Sequence, residues 1–108
     1  MEYSVLVTFD LAYCKSPEYD LMKSVLIDTM KFKTTSKASG AKLPGNTYLG
    51  EVSIHLSGTT SDSINSGARE ALNNVSDKLR KAAQDADITG KFYAIASPKD
   101  STTDYCSR

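Results

Sequence analysis

Tyr3-Ser4-Val5-Leu6-Val7-Thr8-Phe9-Asp10-Leu11 is a β-rich apolar run that carries one carboxylate near its C-terminal end. If Val5, Val7 and Phe9 face a core, then Ser4, Leu6, Thr8 and Asp10 line the opposite face, because successive side chains of a strand alternate. A charge is costly inside a sheet and useful at its rim, where a rigid backbone can present it to a ligand. Asp10 is therefore the leading candidate for a functional residue. The competing reading makes it a strand-end acid that caps the Ala12-Tyr13 turn or stays solvated.

Beyond this strand, Ser16-Pro17-Glu18 supplies an N-cap, a proline at the first helical position and an early acid. Tyr19, Met22, Leu26 and Met30 recur at helical spacing, and Leu21 and Val25 widen the stripe, so a helix is expected to run to about Phe32. Lys33 to Lys42 is polar and small, with weak β propensity at Thr34-Thr35-Ser36 and a turn at Ser39-Gly40. Thr47 to Leu56 reads as a clear strand with Tyr48, Val52, Ile54 and Leu56 on one face. Ser61 or Asp62 can cap a long helix carrying Ile64, Ala68, Ala71, Leu72, Val75, Leu79, Ala82 and Ala83. Lys91 to Ser97 is a last strand, stopped by Pro98. These elements make one domain over residues 1–98, and residues 99–108, rich in Ser, Thr and Asp, read as a flexible tail.

Strand, helix, weak strand, strong strand, helix, strand is the ferredoxin-like βαββαβ order. The expectation is an α+β fold with two helices on one face of a four-stranded antiparallel sheet. Right-handed crossovers place the first and third strands in its middle. The uncovered face would expose Leu6, Leu49 and Tyr93 or Ile95 beside polar residues, a patch that homodimerisation through the sheets or their edge strands would cover.

Composition narrows the class. The chain has 108 residues, 40% of them hydrophobic, which supports one ordinary core. Its 13 basic and 13 acidic residues cancel, so it lacks the broad positive field of non-specific nucleic-acid binders. Cys14 and Cys106 have no CxxC partner or clustered histidine, which argues against structural zinc, and they read as thiols rather than a disulfide. No apolar run approaches a membrane span, and Met1-Glu2 enters a strand at once without a leader pattern, so a soluble cytoplasmic protein is expected.

The layout over residues 3–97 resembles two groups of small ferredoxin-like proteins, the CRISPR-associated protein 2 family and the virulence-associated protein D family. Val7-Thr8-Phe9-Asp10-Leu11 matches their first strand ending in aspartate, and Asn46-Thr47-Tyr48-Leu49-Gly50-Glu51 matches the entry to a later strand. The resemblance implies a homodimer in which two Asp10 residues approach near a twofold axis. It also implies either a metal-dependent endoribonuclease or a non-catalytic assembly subunit. The long polar segment from Thr34 to Lys42 and the balanced charge depart from the family pattern and weigh against nucleic-acid cleavage.

Under the enzymatic reading Asp10 holds Mg²⁺, alone or shared across the dimer, while a phosphodiester is attacked. His55, the sole histidine, is a candidate acid or base against the commoner reading of an ordinary strand residue. Glu51 lies on the same strand face and is a candidate to share an ion with Asp10. Tyr48 and Tyr93 could stack on bases, although core or interface packing is the commoner use of such residues. Lys31, Lys33, Lys37 and Lys42 read as either a phosphate-contacting rim or charges that keep an edge soluble. Gly40, Gly45 and Gly50 form no phosphate loop before a helix. The two surviving functions are a dimeric Mg²⁺-dependent ribonuclease with RNA as substrate and a dimeric module that binds a protein partner.

Overall fold

The computed structural model describes residues 1–11 and 16–106 of the chain. Cys14 and the expected loop over residues 12–15 lie outside the described residues, as do Ser107 and Arg108. Strand β1 (Glu2–Leu11) buries Tyr3, Val5, Val7, Phe9 and Leu11, each no more than 7% exposed. Those alternate residues form the floor of the core. Phe9 stacks on Tyr19 of helix α1 (Ser16–Ser24) at 6.0 Å. The Tyr3 hydroxyl donates to the Ile64 carbonyl of helix α2 (Ser61–Asp85) at 2.7 Å. Both helices thus pack on one face of β1.

The sheet itself is a correction to the expectation. It has three strands, all antiparallel, in the order β2-β1-β3, with β2 spanning Thr47–Ser53 and β3 spanning Gly90–Pro98. The four-stranded ferredoxin-like sheet is not formed, although the α+β class holds. The segment expected as the second strand is an arm, residues 33–43, folded back on itself. Ser36 N–H donates to Ala41 O and Leu43 N–H to Thr34 O, each at 2.8 Å, so these backbone groups are spent within the arm. Only Lys33 exchanges a backbone pair with β2, through Leu49 at 2.8 and 2.9 Å. The physical reason lies in the residues: between Lys33 and Lys42 no apolar alternation rewards a buried strand register.

Helix ends also shift from expectation for identifiable reasons. After α1 the chain makes a π-helical turn, Val25–Thr29, closed by Met30 N–H to Val25 O at 3.0 Å. Lys31 then adopts a left-handed conformation (φ 61°) and Phe32 N–H reaches back to Leu26 O at 2.8 Å, a wrap-around closure like a Schellman cap but one residue longer because the turn it closes is π-helical. Phe32 is consequently buried under β2, over Gly50, where a Cβ would stand 2.1 Å from its ring. Thr60, rather than Ser61 or Asp62, caps α2, its hydroxyl accepting from Ser63 N–H at 3.2 Å. The helix buries Gly67, Ala71, Val75, Leu79 and Ala83, a stripe at four-residue spacing.

Gly67 is the place where α2 comes closest to β1. A Cβ there would stand 2.2 Å from the Tyr3 hydroxyl and 2.6 Å from Leu56 Cδ2. Helix propensity alone makes Gly67→Ala stabilising by about 1 kcal/mol, whereas overpacking against Tyr3 makes it destabilising by about 1–3 kcal/mol. Urea denaturation should give the second sign. A variant at least as stable as the parent would contradict this packing.

Candidate functional site

Because the odd-numbered residues of β1 face the helices, the even-numbered ones face the other side, where Ser4 is buried, Leu6 and Thr8 are half-buried and Asp10 is exposed, and the strand register lays out that surface row by row. Ser4 lies between Glu51 and Ser97, Leu6 between Leu49 and Ile95, Thr8 between Thr47 and Tyr93, and Asp10 opposite Lys91. Tyr93 and Ile95 on β3 are 55% and 54% exposed. The side beyond β2 is different: there the arm brings Lys31, Lys33 and Lys37 around a cavity of about 440 Å³ that also touches Ser4 and Leu49. One rim of the open face is apolar and aromatic, and the other is basic.

Asp10 is exposed at the end of β1, where its Oδ1 accepts from the Tyr19 hydroxyl at 3.2 Å. The same hydroxyl accepts from Leu11 N–H at 3.1 Å, so α1 braces the strand end. Below it, Phe9 is stacked on Tyr48 at 5.7 Å and tilted against Phe92 at 5.7 Å. Burial pushes the Tyr48 phenol above its ordinary value and removes this residue from any base-stacking surface. Tyr93, by contrast, stands on the open face.

The other sequence candidates are not gathered at Asp10. Glu51 pairs in register with Ser4, six residues along β1, which puts it about 20 Å from Asp10 at ~3.4 Å per residue. His55 lies past the end of β2 and is exposed, next to Ile54, whose carbonyl accepts from the Met1 ammonium at 2.7 Å. That is the opposite end of the sheet. Magnesium asks for an octahedral oxygen set. The described groups of one chain offer it one carboxylate and the Tyr19 hydroxyl, with Lys91 across the strand. This donor set does not fit the ion without further oxygens. Among the described residues, no group of three or more His, Cys, Asp or Glu side chains is disposed to hold a metal.

Sequence reasoning missed the residues that organise the basic rim. Lys99 donates to Glu2 at 3.0 Å and to Glu51 at 3.2 Å, and those bonds, Glu2 first, hold its ammonium above the usual lysine value. Lys37 Nζ donates to the carbonyls of Lys99 and Thr102 at 3.0 and 3.2 Å. Asp104 accepts from Lys37 N–H and Ala38 N–H at 2.8 Å each and from the Ser36 hydroxyl at 3.0 Å. The arm's partners are more than sixty residues away in the chain, and Glu51 is 48 residues from Lys99, so no local pattern announces them. Tyr19 was legible as a helix-face residue, but its hydroxyl contact with Asp10 was not.

Comparison of the chain with protein-family models, with curated proteins and with solved structures finds no match in any of the three.

The Asp104 clasp has a pH signature. The Lys37 N–H bond, followed by those from Ala38 and Ser36, outweighs partial desolvation and lowers the carboxyl below its ordinary value of 3.8. With the folded value depressed, the contribution of the clasp is complete above the ordinary value and is lost as pH falls through the lower folded one. The amide resonances of Lys37 and Ala38 should therefore titrate together below pH 3.8, and Asp104→Asn should abolish that transition. A midpoint at or above the ordinary value would contradict the clasp.

Proposed function

We propose that this chain is a non-catalytic homodimeric interaction module, with the outer edge of β3 as its self-association surface. The observation that carries the reading is the exposure of Tyr93 and Ile95 on an edge strand. Natural edge strands are usually blunted by charges, bulges or a covering loop. From Phe92 to Pro98 this edge has no charged residue, and among the described residues β3 pairs only with β1.

A second copy suits this edge by side-chain register. In an antiparallel β3–β3 pair centred on Ala94, Tyr93 opposes Ile95 on the open face, and Phe92 opposes Ala96 on the helix side. Aromatic against β-branched is a favourable cross-strand pair. Centring on Ile95 would instead set Lys91 against Lys99, a like-charge pair. Behind the edge, Leu72, Leu79, Ile88 and Phe92 line an apolar groove of about 640 Å³ against which a partner's inward residues can pack. With the 20 Å shortest extent of the molecule, an edge of nine residues, about 30 Å long, offers on the order of 600 Å² per partner, close to the ~800 Å² of standard interfaces. The product is one continuous sheet whose open face is available to a protein partner.

A second reading keeps the endoribonuclease, because Asp10 is exposed at a strand end with only Tyr19 as its hydrogen-bond partner among the described residues. It requires a different dimer. Pairing through β3 would leave the two Asp10 carboxylates about 25 Å apart, three strand spacings across and six residues along, whereas a shared ion requires them to meet at the twofold axis.

Light scattering at high micromolar concentration should report a dimer for the native chain and a monomer for Ile95→Lys, with circular dichroism unchanged. A monomeric native chain, or an Ile95→Lys dimer, would sink the edge-pairing reading. The enzymatic reading expects Mg²⁺-dependent RNA cleavage that Asp10→Ala abolishes in a folded protein. Cleavage that survives Asp10→Ala would exclude it.

A further inference from the structure

We propose that the cavity between the arm and β2 is a binding site for a phosphate-bearing small molecule, held by Lys31, Lys33 and Lys37 with Leu49 and Met30 beneath its organic part. The cavity volume, about 440 Å³, falls within the range of small-ligand sites, ~300–1,000 Å³. It lies on the β2 side of the sheet, away from the β3 edge, and does not rest on the dimer.

Charge identifies the ligand class. The segment from Lys31 through the arm to Lys42 holds four lysines and no acid, and three of the four line this one cavity. The one carboxylate that lines the cavity, Glu51, is already paired with Lys99 at 3.2 Å, and the adjoining Asp104 is spent on the Ser36 hydroxyl and the Lys37 and Ala38 N–H groups, so its single charge offsets only part of the three ammonium groups. Among the described residues, Lys31 and Lys33 make no ion pair. Lys37 commits two donors to the Lys99 and Thr102 carbonyls, which leaves one of the three on an ammonium. A single carboxylate ligand would leave most of this charge unanswered. A phosphomonoester or diphosphate carries enough oxygens for three ammonium groups, which bind phosphate as point charges. The apolar floor and the remaining volume suit an attached organic group.

The site is built in advance. Lys31 occupies the left-handed C-cap position (φ 61°) where glycine or asparagine is usual, and that turn sets where its side chain leaves the backbone. Lys33 is fixed by its backbone pair with Leu49, and Lys37 is fixed by the Asp104 clasp. Ordering of the backbone is therefore complete before a ligand arrives, which removes a common cost of binding.

The test is calorimetric titration of the full chain with inorganic pyrophosphate and, separately, with adenosine diphosphate. Binding of at least one probe is expected, weakened about tenfold or more in the Lys31→Asn, Lys33→Gln double variant, since each charge-assisted bond is worth about that factor. Asparagine suits the left-handed position, and Lys33→Gln alone, which leaves the turn untouched, should weaken binding in the same direction. Lys78→Gln with Lys81→Gln, an equal change of net charge on exposed positions of α2, should leave affinity within about twofold. The proposal is overturned if neither probe binds at millimolar concentration, if the arm variants bind as the native chain does, or if the α2 control loses as much. Tight binding of a single-stranded oligonucleotide with no response to either small probe would also overturn it, in favour of a nucleic-acid backbone as the phosphate source.

Discussion

The hydroxyl of Tyr3, on a residue with no exposed surface, reaches the Ile64 carbonyl in the first turn of α2, and only glycine at position 67 lets the two elements come that close. A buried phenol needs a partner, and this one finds it in a carbonyl that also belongs to the helix. The contact sets the parity of β1: with Tyr3 inward, Val5, Val7, Phe9 and Leu11 are inward too, and a one-residue slip would turn every one of them to solvent. The open face, the placement of Asp10 and the alignment of Leu6 with Leu49 and Ile95 all follow from that choice.

The two rims of the sheet then differ because the chain treats them differently. Beyond β2 the arm covers the edge, and the Asp104 and Lys37 bonds tie it to residues 99–104. Beyond β3 nothing charged interrupts the strand from Phe92 to Pro98. Protection at one edge and its absence at the other is the asymmetry expected of a sheet that associates through one side and keeps the other for a different contact. Asp10 sits between them at the strand end, braced by Tyr19 and facing Lys91.

β1 and α2 were legible in the sequence because each carries a strong period, two residues in Tyr3 to Leu11 and about four from Gly67 to Ala83. The start of α1 was legible from Ser16-Pro17. Element order alone suggests a fourth strand, yet order cannot supply the apolar alternation that residues 33–42 lack, and their backbone groups find partners within the arm instead. Asp10 was visible as a strand-end acid, and its cross-strand neighbour Lys91 needed a register that no single strand encodes. Lys99 and Asp104 stood in a polar stretch without period, and only the folded chain brings them to Glu2, Glu51 and the arm.

Self-association places its whole contact on the β3 edge, and hydrogen exchange read peptide by peptide at low and at high micromolar concentration addresses that edge directly. Self-association through that edge predicts that amides of Gly90 to Ser97 gain protection as concentration rises, while those of Thr47–Ser53 on β2 stay unchanged. Protection of Gly90 to Ser97 that is independent of concentration, or a gain confined to the β2 side, would contradict it.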